Sequence, residues 1–350
     1  MSDDALTARI VAEATRLGFH RVGIAAAGPL SVDHPRYEAF VAEGLHGEMG
    51  FLAEDAAVRR DVDHPGILQG AKSVIVCALS YHRRDAPSPL TGATVARYAQ
   101  GRDYHNFFRK RLRKLAKFVR TLGGEARPTV DTAPLLERAW AARAGVGFVG
   151  KNGMIIAPGL GSYLLLGEVV TDLVLTPGAP LSSRCGACTL CLDGCPTRAF
   201  AAPYRLDPRR CIAYLTIEQK GAIAPALRPL VGDRLFGCDT CQDLCPFNRT
   251  APPPAEGTRD FEPDPRYAGR AVEDLLTLDD AGFAALTEGT PLARATRPGL
   301  ARNAAVVIGN TGGRRHLPVL RQTVNTDPNA LVRETAAWAI DQIEARDPSR

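Results

Sequence analysis

The sequence predicts an α/β (α+β) domain, then a cysteine-rich module, then an α-helical C-terminal segment. Three observations predict this order. Helical and strand-type patterns alternate over residues 1–180, eight of the nine cysteines lie between Cys185 and Cys245, and the pattern towards the C-terminus is helical. We expect three domains with bounds 1–180, 181–250 and 251–350, in line with a prior of about 150 residues per domain.

The elements of the first domain follow from hydrophobic periodicity. In chain order we expect a helix over 5–19, strands over 21–26 and 73–81, helices over 104–122 and 134–143, and strands within 153–158 and 162–175. The near-continuous apolar run 73–81 is typical of a strand covered on both faces. The sequence therefore predicts a layered α/β domain with a mixed sheet and a hairpin at 158–161.

Composition and charge exclude several classes of protein. Hydrophobic residues make up 45% of the chain, which excludes global disorder. The N-terminal residues have neither the basic start nor the apolar stretch of a secretory signal. The longest uncharged run, between Lys151 and Glu168, has 16 residues and is too short to cross a bilayer. We expect a cytoplasmic protein with no membrane partner, and its net charge of +5 is compatible with a polyanionic partner.

The spacing of the cysteines predicts two [4Fe–4S] clusters. Segment 185–196 has the C-x2-C-x2-C-x3-C-P spacing of bacterial two-cluster ferredoxins, in which the fourth cysteine binds the other cluster. Segment 238–246 is a second run without its first cysteine, and Cys211 is the obvious substitute. Crossing the fourth ligands gives two sets of four. The first thiolate set is Cys185, Cys188, Cys191 and Cys245, and the second thiolate set is Cys195, Cys211, Cys238 and Cys241.

Zinc sites and purely structural clusters are the alternatives for these cysteines. Zinc favours isolated C-x2-C pairs with longer spacers. Two adjacent clusters form a path for single electrons, so a redox function is favoured over a scaffold. The ninth cysteine, Cys77, lies inside an apolar run and is expected to be an inert buried thiol.

Two further segments match known binding motifs in part, but their surrounding sequence argues against those functions. Segment 145–150 matches G-x-G-x-x-G, but it follows a helix and enters a strand, the reverse of a dinucleotide-binding loop. Asp103 and His105 match the start of a cobalamin lower-ligand motif, but Phe108 stands where that motif has glycine. We expect neither a Rossmann site nor a histidine ligand of that type.

Two basic regions favour a nucleic-acid partner, with an ordinary solvated surface as the alternative. The helix over 109–120 carries seven basic residues and no acidic one, and Phe108, Leu112, Leu115 and Val119 form its apolar face. The C-terminal segment adds Arg294, Arg297, Arg302, Arg314, Arg315, Arg321 and Arg333.

The C-terminal segment contains a weak internal repeat. Residues 304–308 align with 336–340 at an offset of 32. Paired helices at this spacing favour a short HEAT-like stack, and an ordinary helical cap is the alternative. Segment 251–265 ahead of it is expected to be an extended linker.

The motifs of the chain, taken in order, resemble those of the epoxyqueuosine reductase family. The matching pieces are 97–99 (RYA), 101–105 (GRDYH), 131–138 (DTAPLLER), 150–152 (GKN), 161–163 (GSY), the eight cysteines, 210–216 (RCIAYLT) and 236–242 (FGCDTCQ). The resemblance runs from about residue 5 to the C-terminus. This ordered combination is far more specific than the cysteine spacing, which many ferredoxins share.

The resemblance implies reduction of epoxyqueuosine to queuosine at the wobble position of tRNA. It implies a nitroreductase-like cobalamin-binding domain, a ferredoxin-like two-cluster module and a HEAT-like segment that contacts the tRNA anticodon stem-loop. It also implies base-off cobalamin without a protein histidine ligand, an external electron donor such as a flavodoxin or ferredoxin, and a monomer.

The resemblance also implies site residues. Asp131 corresponds to the family's proton donor, whereas composition alone favours Asp131 or Thr132 as a helix cap with Pro134 in the first turn. Cobalamin contacts are placed at Arg60, Ala96, Asp131, Ile155, Leu166 and Ala213, with Asn152, Ser162 and Lys220 nearby. Ala213 stands where the family often has serine, so a hydroxyl contact is not expected there.

The mechanism that follows is a hypothesis about protons and electrons. An epoxide, two electrons and two protons give an alkene and water. Burial would raise the pKa of Asp131 so that it donates a proton, with Tyr104 and His105 as orienting groups or second donors. A corrinoid reductive dehalogenase, a ferredoxin-type electron carrier and a tRNA-binding module with structural clusters are the alternative functions.

Overall fold

The computed structural model describes residues 2–83, 88–252 and 261–346. The α-helices are α1 (Asp3–Arg16), α2 (Asp33–Ala42), α3 (Ala56–Arg60), α4 (Tyr104–Thr121), α5 (Glu137–Arg143), α6 (Leu190–Asp193), α7 (Ile212–Ile217), α8 (Arg228–Val231), α9 (Thr240–Asp243), α10 (Pro246–Arg249), α11 (Asp280–Thr287), α12 (Thr296–Thr311), α13 (Leu317–Thr326) and α14 (Ala330–Arg346). The strands are β1 (Arg21–Ala26), β2 (Ser73–Ser80), β3 (Thr94–Val95), β4 (Ala126–Thr129), β5 (Phe148–Val149), β6 (Ile155–Ile156), β7 (Leu164–Thr171), β8 (Phe200–Ala202), β9 (Arg205–Leu206) and β10 (Arg234–Phe236).

A four-stranded sheet with the order β1-β2-β7-β4 forms the centre of the first domain. All three pairings are antiparallel, so the prediction of a mixed sheet is wrong for this sheet. Hydrophobic periodicity locates strands but carries no information about their direction, which depends on how the intervening chain returns.

Strand β2 is buried along its whole length, as its apolar run predicts. Its alternate side chains point to opposite faces of the sheet. Ile75 and Leu79 pack with Phe108 and Leu112 of α4, while Val76 packs with Trp140 of α5 on the other face. Two helical layers therefore cover the sheet.

Cys77 lies in the middle of β2 and is fully buried, as predicted. Burial raises the pKa of its thiol well above the usual value, and the nearby Glu168 carboxyl adds to this effect. Cys77 is therefore an unreactive core residue.

The turn at residues 157–161 is tighter than a hairpin between two long strands. Ala157 and Gly161 exchange backbone hydrogen bonds of 2.9 Å, but β6 pairs with β5 and not with β7. The glycines of the 145–150 segment serve this pairing, because a side chain at Gly147 would meet the carbonyl oxygen of Ile156 at 2.6 Å. This segment follows α5 and enters β5, so its role is in packing, as its context predicts.

The C-terminal helices pack on each other and on the rest of the chain. The repeated segments lie in α12 and α14, and Gly309 of α12 allows a close approach to Trp338 of α14. The same core includes Leu90 and Val95 from the first 180 residues. The HEAT-like arrangement and the domain bounds stay predictions.

The expected linker lies only partly within the described residues. Residues 253–260 are outside them, and the flanking residues are not free. Ala251 is fully buried, and Phe261 packs against Tyr81 and Phe107. Ala251 and Phe261, near the two ends of the expected linker, are therefore packed against other parts of the protein.

Two of the predicted surface arginines are buried. Arg297 is 8% exposed and forms two hydrogen bonds with Asp327 at 2.8 and 3.0 Å. Arg302 is 1% exposed and donates to the carbonyl oxygens of Gln219, Gly221 and Leu215. Arg302 therefore ties α12 to the cysteine-rich module and does not form part of a basic surface.

No helix within the described residues has both the length and the apolar character that a membrane crossing requires.

We predict that Arg302→Met destabilises the protein by about 2–4 kcal/mol, because three carbonyl oxygens, that of the buried Leu215 among them, lose the donor that the buried guanidinium supplies. Thermal unfolding of the cluster-loaded protein measures this loss. Arg321→Met is the matched control, since Arg321 is 61% exposed and pairs with Glu344 at the surface. Equal stability of the two variants would contradict the structural role of Arg302.

Candidate active site beside two thiolate sets

Three hydrogen-bonded side chains mark the candidate active site: Asp103, His105 and Asp131. Asp103 caps the N-terminus of α4 by accepting the backbone N–H of His105 at 3.0 Å. The same carboxyl oxygen lies 2.7 Å from Nδ1 of His105, and Nε2 of His105 lies 2.9 Å from a carboxyl oxygen of Asp131. Tyr104 stacks on the His105 ring with centroids 4.2 Å apart. Both ring nitrogens of His105 are therefore engaged by carboxylates.

Asp131 does not cap a helix. Its φ of 29° lies in the left-handed region, which costs a non-glycine residue about 1–2 kcal/mol and is common at functional sites. Helix α5 begins only at Glu137, whose carboxyl oxygen accepts the backbone N–H of Asp131 at 2.6 Å. The prediction of a helix from residue 134 with Asp131 or Thr132 as its cap is therefore wrong.

The protonation states of Asp131 and His105 differ from the sequence-based expectation. Hydrogen bonds to Asp103 and Asp131 raise the pKa of His105 to about 9. Burial raises the pKa of Asp131, but the hydrogen bond and charge of His105 outweigh it, and the pKa of Asp131 lies below its usual value. At neutral pH the proton therefore resides on His105, and Asp131 is ionised, so the expected raised pKa of Asp131 is wrong.

Asp131, His105 and Tyr104 line a cavity of about 1730 Å³. The Asp131 side chain keeps 49% of its surface accessible because it faces this space. The volume is well above the roughly 300–1000 Å³ of pockets for drug-sized ligands. Residues of the C-terminal segment close one side, where Arg294 holds Glu218 at 2.5 Å. The cavity can therefore hold a large cofactor together with part of a substrate.

The cysteines of the first thiolate set lie near one another. Burial raises the pKa of Cys191, and the next largest influence is Cys245, with Cys185 and Cys188 also near. Cys188 is exposed at the surface. The crossed ligand therefore lies close to the three cysteines that precede it by about fifty residues.

The second thiolate set is gathered in the same way. Burial raises the pKa of Cys211 to about 11, and Cys238 and Cys195 lie near enough to raise it further. Cys211 and Cys238 also raise the pKa of Cys241, after its burial. This grouping supports Cys211 as the substitute for the missing cysteine, and the assignment of each ligand stays a prediction.

The eight thiols fit two four-iron clusters in number and kind. No group of three or more His, Cys, Asp or Glu side chains in the described ranges is placed to hold one metal ion. A cluster does not require such an arrangement, because each of its four thiolates binds a different iron.

A buried polar joint connects the first domain to the cysteine-rich module. Ser162 donates to Gln242 at 3.0 Å, and Asn248 donates to Ser162 at 3.0 Å. Lys151 donates to the carbonyl oxygens of Gly186 and Cys188 at 2.7 and 2.9 Å, beside the first thiolate set. The residues that the motifs GKN and GSY contribute therefore position the clusters relative to the sheet.

Of the residues predicted to contact cobalamin, the structure places Asp131 in the wall of the cavity. Asn152 and Ser162 lie in the buried joint, where Asn152 donates to the carbonyl of Cys241. Lys220 donates to the carbonyl of Arg294, which lines the cavity. The others are set back from the wall: Arg60 is exposed at the end of α3, Ala96 and Ile155 are buried, and Leu166 and Ala213 are half-buried. These assignments stay predictions.

Two carboxyl groups near Asp131 have no role in the sequence-based predictions. Glu137 lies in the quoted DTAPLLER stretch and lines the cavity. Glu168 lies in β7 and is fully buried. A lone acidic residue within an apolar strand was the signal that could have identified Glu168.

Comparison with known families agrees with this geometry. Residues 184–248 match the 4Fe-4S double cluster binding domain, and residues 62–132 match the family described as epoxyqueuosine reductase QueG, DUF1730. Epoxyqueuosine reductases from Alicycliphilus denitrificans and Xanthomonas campestris are 39% and 40% identical to this chain. These matches cover 96% of this chain in both cases, and 98% and 95% of the two relatives.

Solved structures agree over nearly the whole chain. A crystal structure of epoxyqueuosine reductase with a tRNA-Tyr epoxyqueuosine-modified tRNA stem loop has a TM-score of 0.89 and 32% identity, and covers 97% of this chain and 90% of that one. The epoxyqueuosine reductase from Streptococcus thermophilus has a TM-score of 0.88 and 28% identity, with 98% and 91% coverage.

The fold, the two thiolate sets and the double-cluster match define an iron–sulfur oxidoreductase. With relatives at about 40% identity over 96% of its length, the chain belongs to the epoxyqueuosine reductase family.

We predict that Cys211→Ala loses one cluster and keeps the other, so that iron analysis after anaerobic reconstitution falls from about eight to about four atoms per chain. Cys77→Ala is the control, because Cys77 lies in the sheet and outside both sets, and it should retain the full iron content. A Cys211→Ala protein with all of its iron would contradict the second thiolate set.

Proposed function

We propose that this chain reduces epoxyqueuosine to queuosine at the wobble position of tRNA, with two [4Fe–4S] clusters and cobalamin as cofactors. Family membership supports the reaction. The observation that carries the proposal is the Asp103–His105–Asp131 chain, which brings a held proton to the wall of a large cavity next to the cysteine-rich module. A nitroreductase-like first domain is part of the proposal.

The cavity fits cobalamin by size and by the chemistry of its wall. Bound there, cobalamin would supply the electron-rich metal that opens the epoxide. Its base-off form without a histidine ligand agrees with His105, whose two nitrogens are both directed at carboxylates and have no free lone pair when protonated. Of the predicted contacts, Asp131 lies in the cavity wall and would hold it there.

The residues of the protein supply the protons that the reaction consumes. Opening of an epoxide leaves an alkoxide, which needs a proton at once. Asp131 presents a carboxyl oxygen to the cavity while accepting a hydrogen bond from the protonated His105. The proton that Asp131 passes to the substrate therefore comes from His105 across 2.9 Å, and Asp103 keeps the ring oriented for this transfer.

The thiolate sets support a direction for the electrons. Cys188 of the first set is exposed, with Leu190 43% exposed beside it. All four cysteines of the second set are partly buried. An external donor such as a flavodoxin or ferredoxin would deliver electrons at the Cys188 loop, and the second cluster would pass them towards the cavity.

The substrate side of the proposal rests on charge and position. Helix α4 begins at the cavity with His105, and its exposed face carries Lys110, Arg113, Lys114 and Lys117. These residues would contact the phosphates of a tRNA anticodon stem-loop, together with a HEAT-like C-terminal segment. We infer a monomer, since one chain contributes every part of the site. Family membership favours this function over a reductive dehalogenase, an electron carrier or a purely tRNA-binding module.

We predict that Asp131→Asn lowers turnover of an epoxyqueuosine-containing stem-loop by about 10²- to 10⁴-fold, the usual contribution of a general acid. Mass analysis of the nucleoside product measures the conversion. Iron content should be unchanged, and turnover is compared at equal cobalamin occupancy. Asp341→Asn, on the exposed face of α14, is the control and should keep full activity. Full turnover by Asp131→Asn with both cofactors bound would remove Asp131 from the donor role.

We also predict an alkaline limit to activity. The raised pKa of His105 keeps its proton present below about 9, and the proton is lost as the pH rises through that value. Turnover should therefore fall above about pH 9, and His105→Asn should lower turnover and abolish that limb. A His105→Asn variant with the same alkaline limb would show that another group is responsible.

A further inference from the structure

We propose that Glu137 and Glu168 form a pair of electrostatically coupled carboxyl groups behind Asp131, and that this pair retains a proton and supplies the second proton of each turnover. This inference rests on the proposed function, because it assigns a source to a proton that the reaction consumes.

The surroundings of Glu168 do little to stabilise a charged carboxylate. It lies in the middle of β7, opposite Val76 of β2 and Thr129 of β4, with no exposed surface. One carboxyl oxygen lies 3.1 Å from the Thr129 hydroxyl. The other, Oε1, has no hydrogen-bond partner among the described residues. A buried carboxyl group whose lost hydration is replaced by a single hydroxyl favours its neutral form.

Glu137 connects this buried group to the active site. It is the first residue of α5, and α5 packs against β7. Its Oε1 accepts the backbone N–H of Asp131 at 2.6 Å, and its side chain lines the same cavity as Asp131. A protonated Glu137 can keep this bond through its carbonyl oxygen while its hydroxyl remains free to donate.

The electrostatics of the two groups favour a pair in which at least one carboxyl group is protonated. Burial raises the pKa of Glu137 well above its usual value, with Glu168 and Asp131 as the next causes, while the hydrogen bond to Asp131 and the charge of Arg138 oppose them. Burial raises the pKa of Glu168 to about 8, and the Thr129 hydrogen bond opposes it. The charge of Glu168 also raises the pKa of the Cys77 thiol on the other face of the sheet, and that thiol is itself neutral. At neutral pH the pair therefore holds at least one proton.

The proton balance of the reaction explains what the pair does. Each epoxide that becomes an alkene and water takes two protons, and the Asp131–His105 pair holds one. After the first transfer, the Glu137 carboxylic acid gives its proton, through water in the cavity, to the Asp131 carboxylate. Water then carries a proton from Glu168 to Glu137, since Oε1 of Glu168 has no hydrogen-bond partner among the described residues. Bulk water recharges the pair after the product leaves.

The test uses Glu168→Gln, which keeps the shape of the side chain and removes its titratable proton. Infrared difference spectra of the cluster-loaded protein without tRNA follow the carbonyl stretch of a protonated carboxylic acid. In the wild type this band should weaken as the pH rises through about 8, where Glu168 titrates. In Glu168→Gln the remaining band, from Glu137, should titrate at lower pH, because its like-charged neighbour is gone.

The same variant should change the pH profile of turnover. The break that belongs to the pair should move to lower pH, and a break lower by one pH unit reduces the protonated fraction above it about tenfold. The alkaline limb of His105 should stay in place. A wild type without the carbonyl band, or a Glu168→Gln protein with an unchanged band and pH profile, would overturn the proposal.

Thr129→Val provides a second variant if Glu168→Gln does not fold. It removes the hydrogen bond that stabilises the ionised form of Glu168, so the carbonyl band should persist to higher pH than in the wild type. An unchanged titration in Thr129→Val would also overturn the proposal. If only the pair fails, the wild type still converts the stem-loop, whereas if the proposed function fails the wild type does not, so the two failures are distinguishable.

Discussion

The site depends on one histidine held between two aspartates. A helix N-terminus disfavours a positive charge, so His105, in the first turn of α4, would be neutral there without support. Asp103 supplies that support from the capping position, and Asp131 completes it from the opposite side. The cost of the left-handed backbone at Asp131 is part of the same arrangement, since it turns the carboxylate towards both the histidine and the cavity.

In the proposed function, electrons and protons reach the cavity from different parts of the fold. The thiolate sets lie in the cysteine-rich module, and the buried joint of Ser162, Gln242 and Asn248 fixes that module to the sheet. The ionisable carboxyls lie on the other side, in the sheet and at the start of α5. Because the two paths approach the same space from different elements, the C-terminal segment can close the cavity through Arg294 without interrupting either of them.

The sequence predicts local features well because they depend on neighbouring residues. The cysteine spacing indicates both thiolate sets, and periodicity indicates β2 and the buried face of α4. It fails where distant segments decide the outcome. The antiparallel sheet, the burial of Arg297 and Arg302, and the ionised state of Asp131 each depend on a partner far away in the chain. From composition alone these arginines are expected to be surface charges. Composition contains no information about Asp327, which binds Arg297, or about the carbonyl oxygens that accept from Arg302.

The location of the proton is the central claim, and nitrogen-15 NMR of protein labelled only at histidine tests it most directly. The chain has seven histidines, so the His105 signals are identified by their loss in His105→Asn. The account predicts that both ring nitrogens of His105 carry protons at neutral pH and that the ring loses one near pH 9. A neutral His105 ring at neutral pH would contradict it.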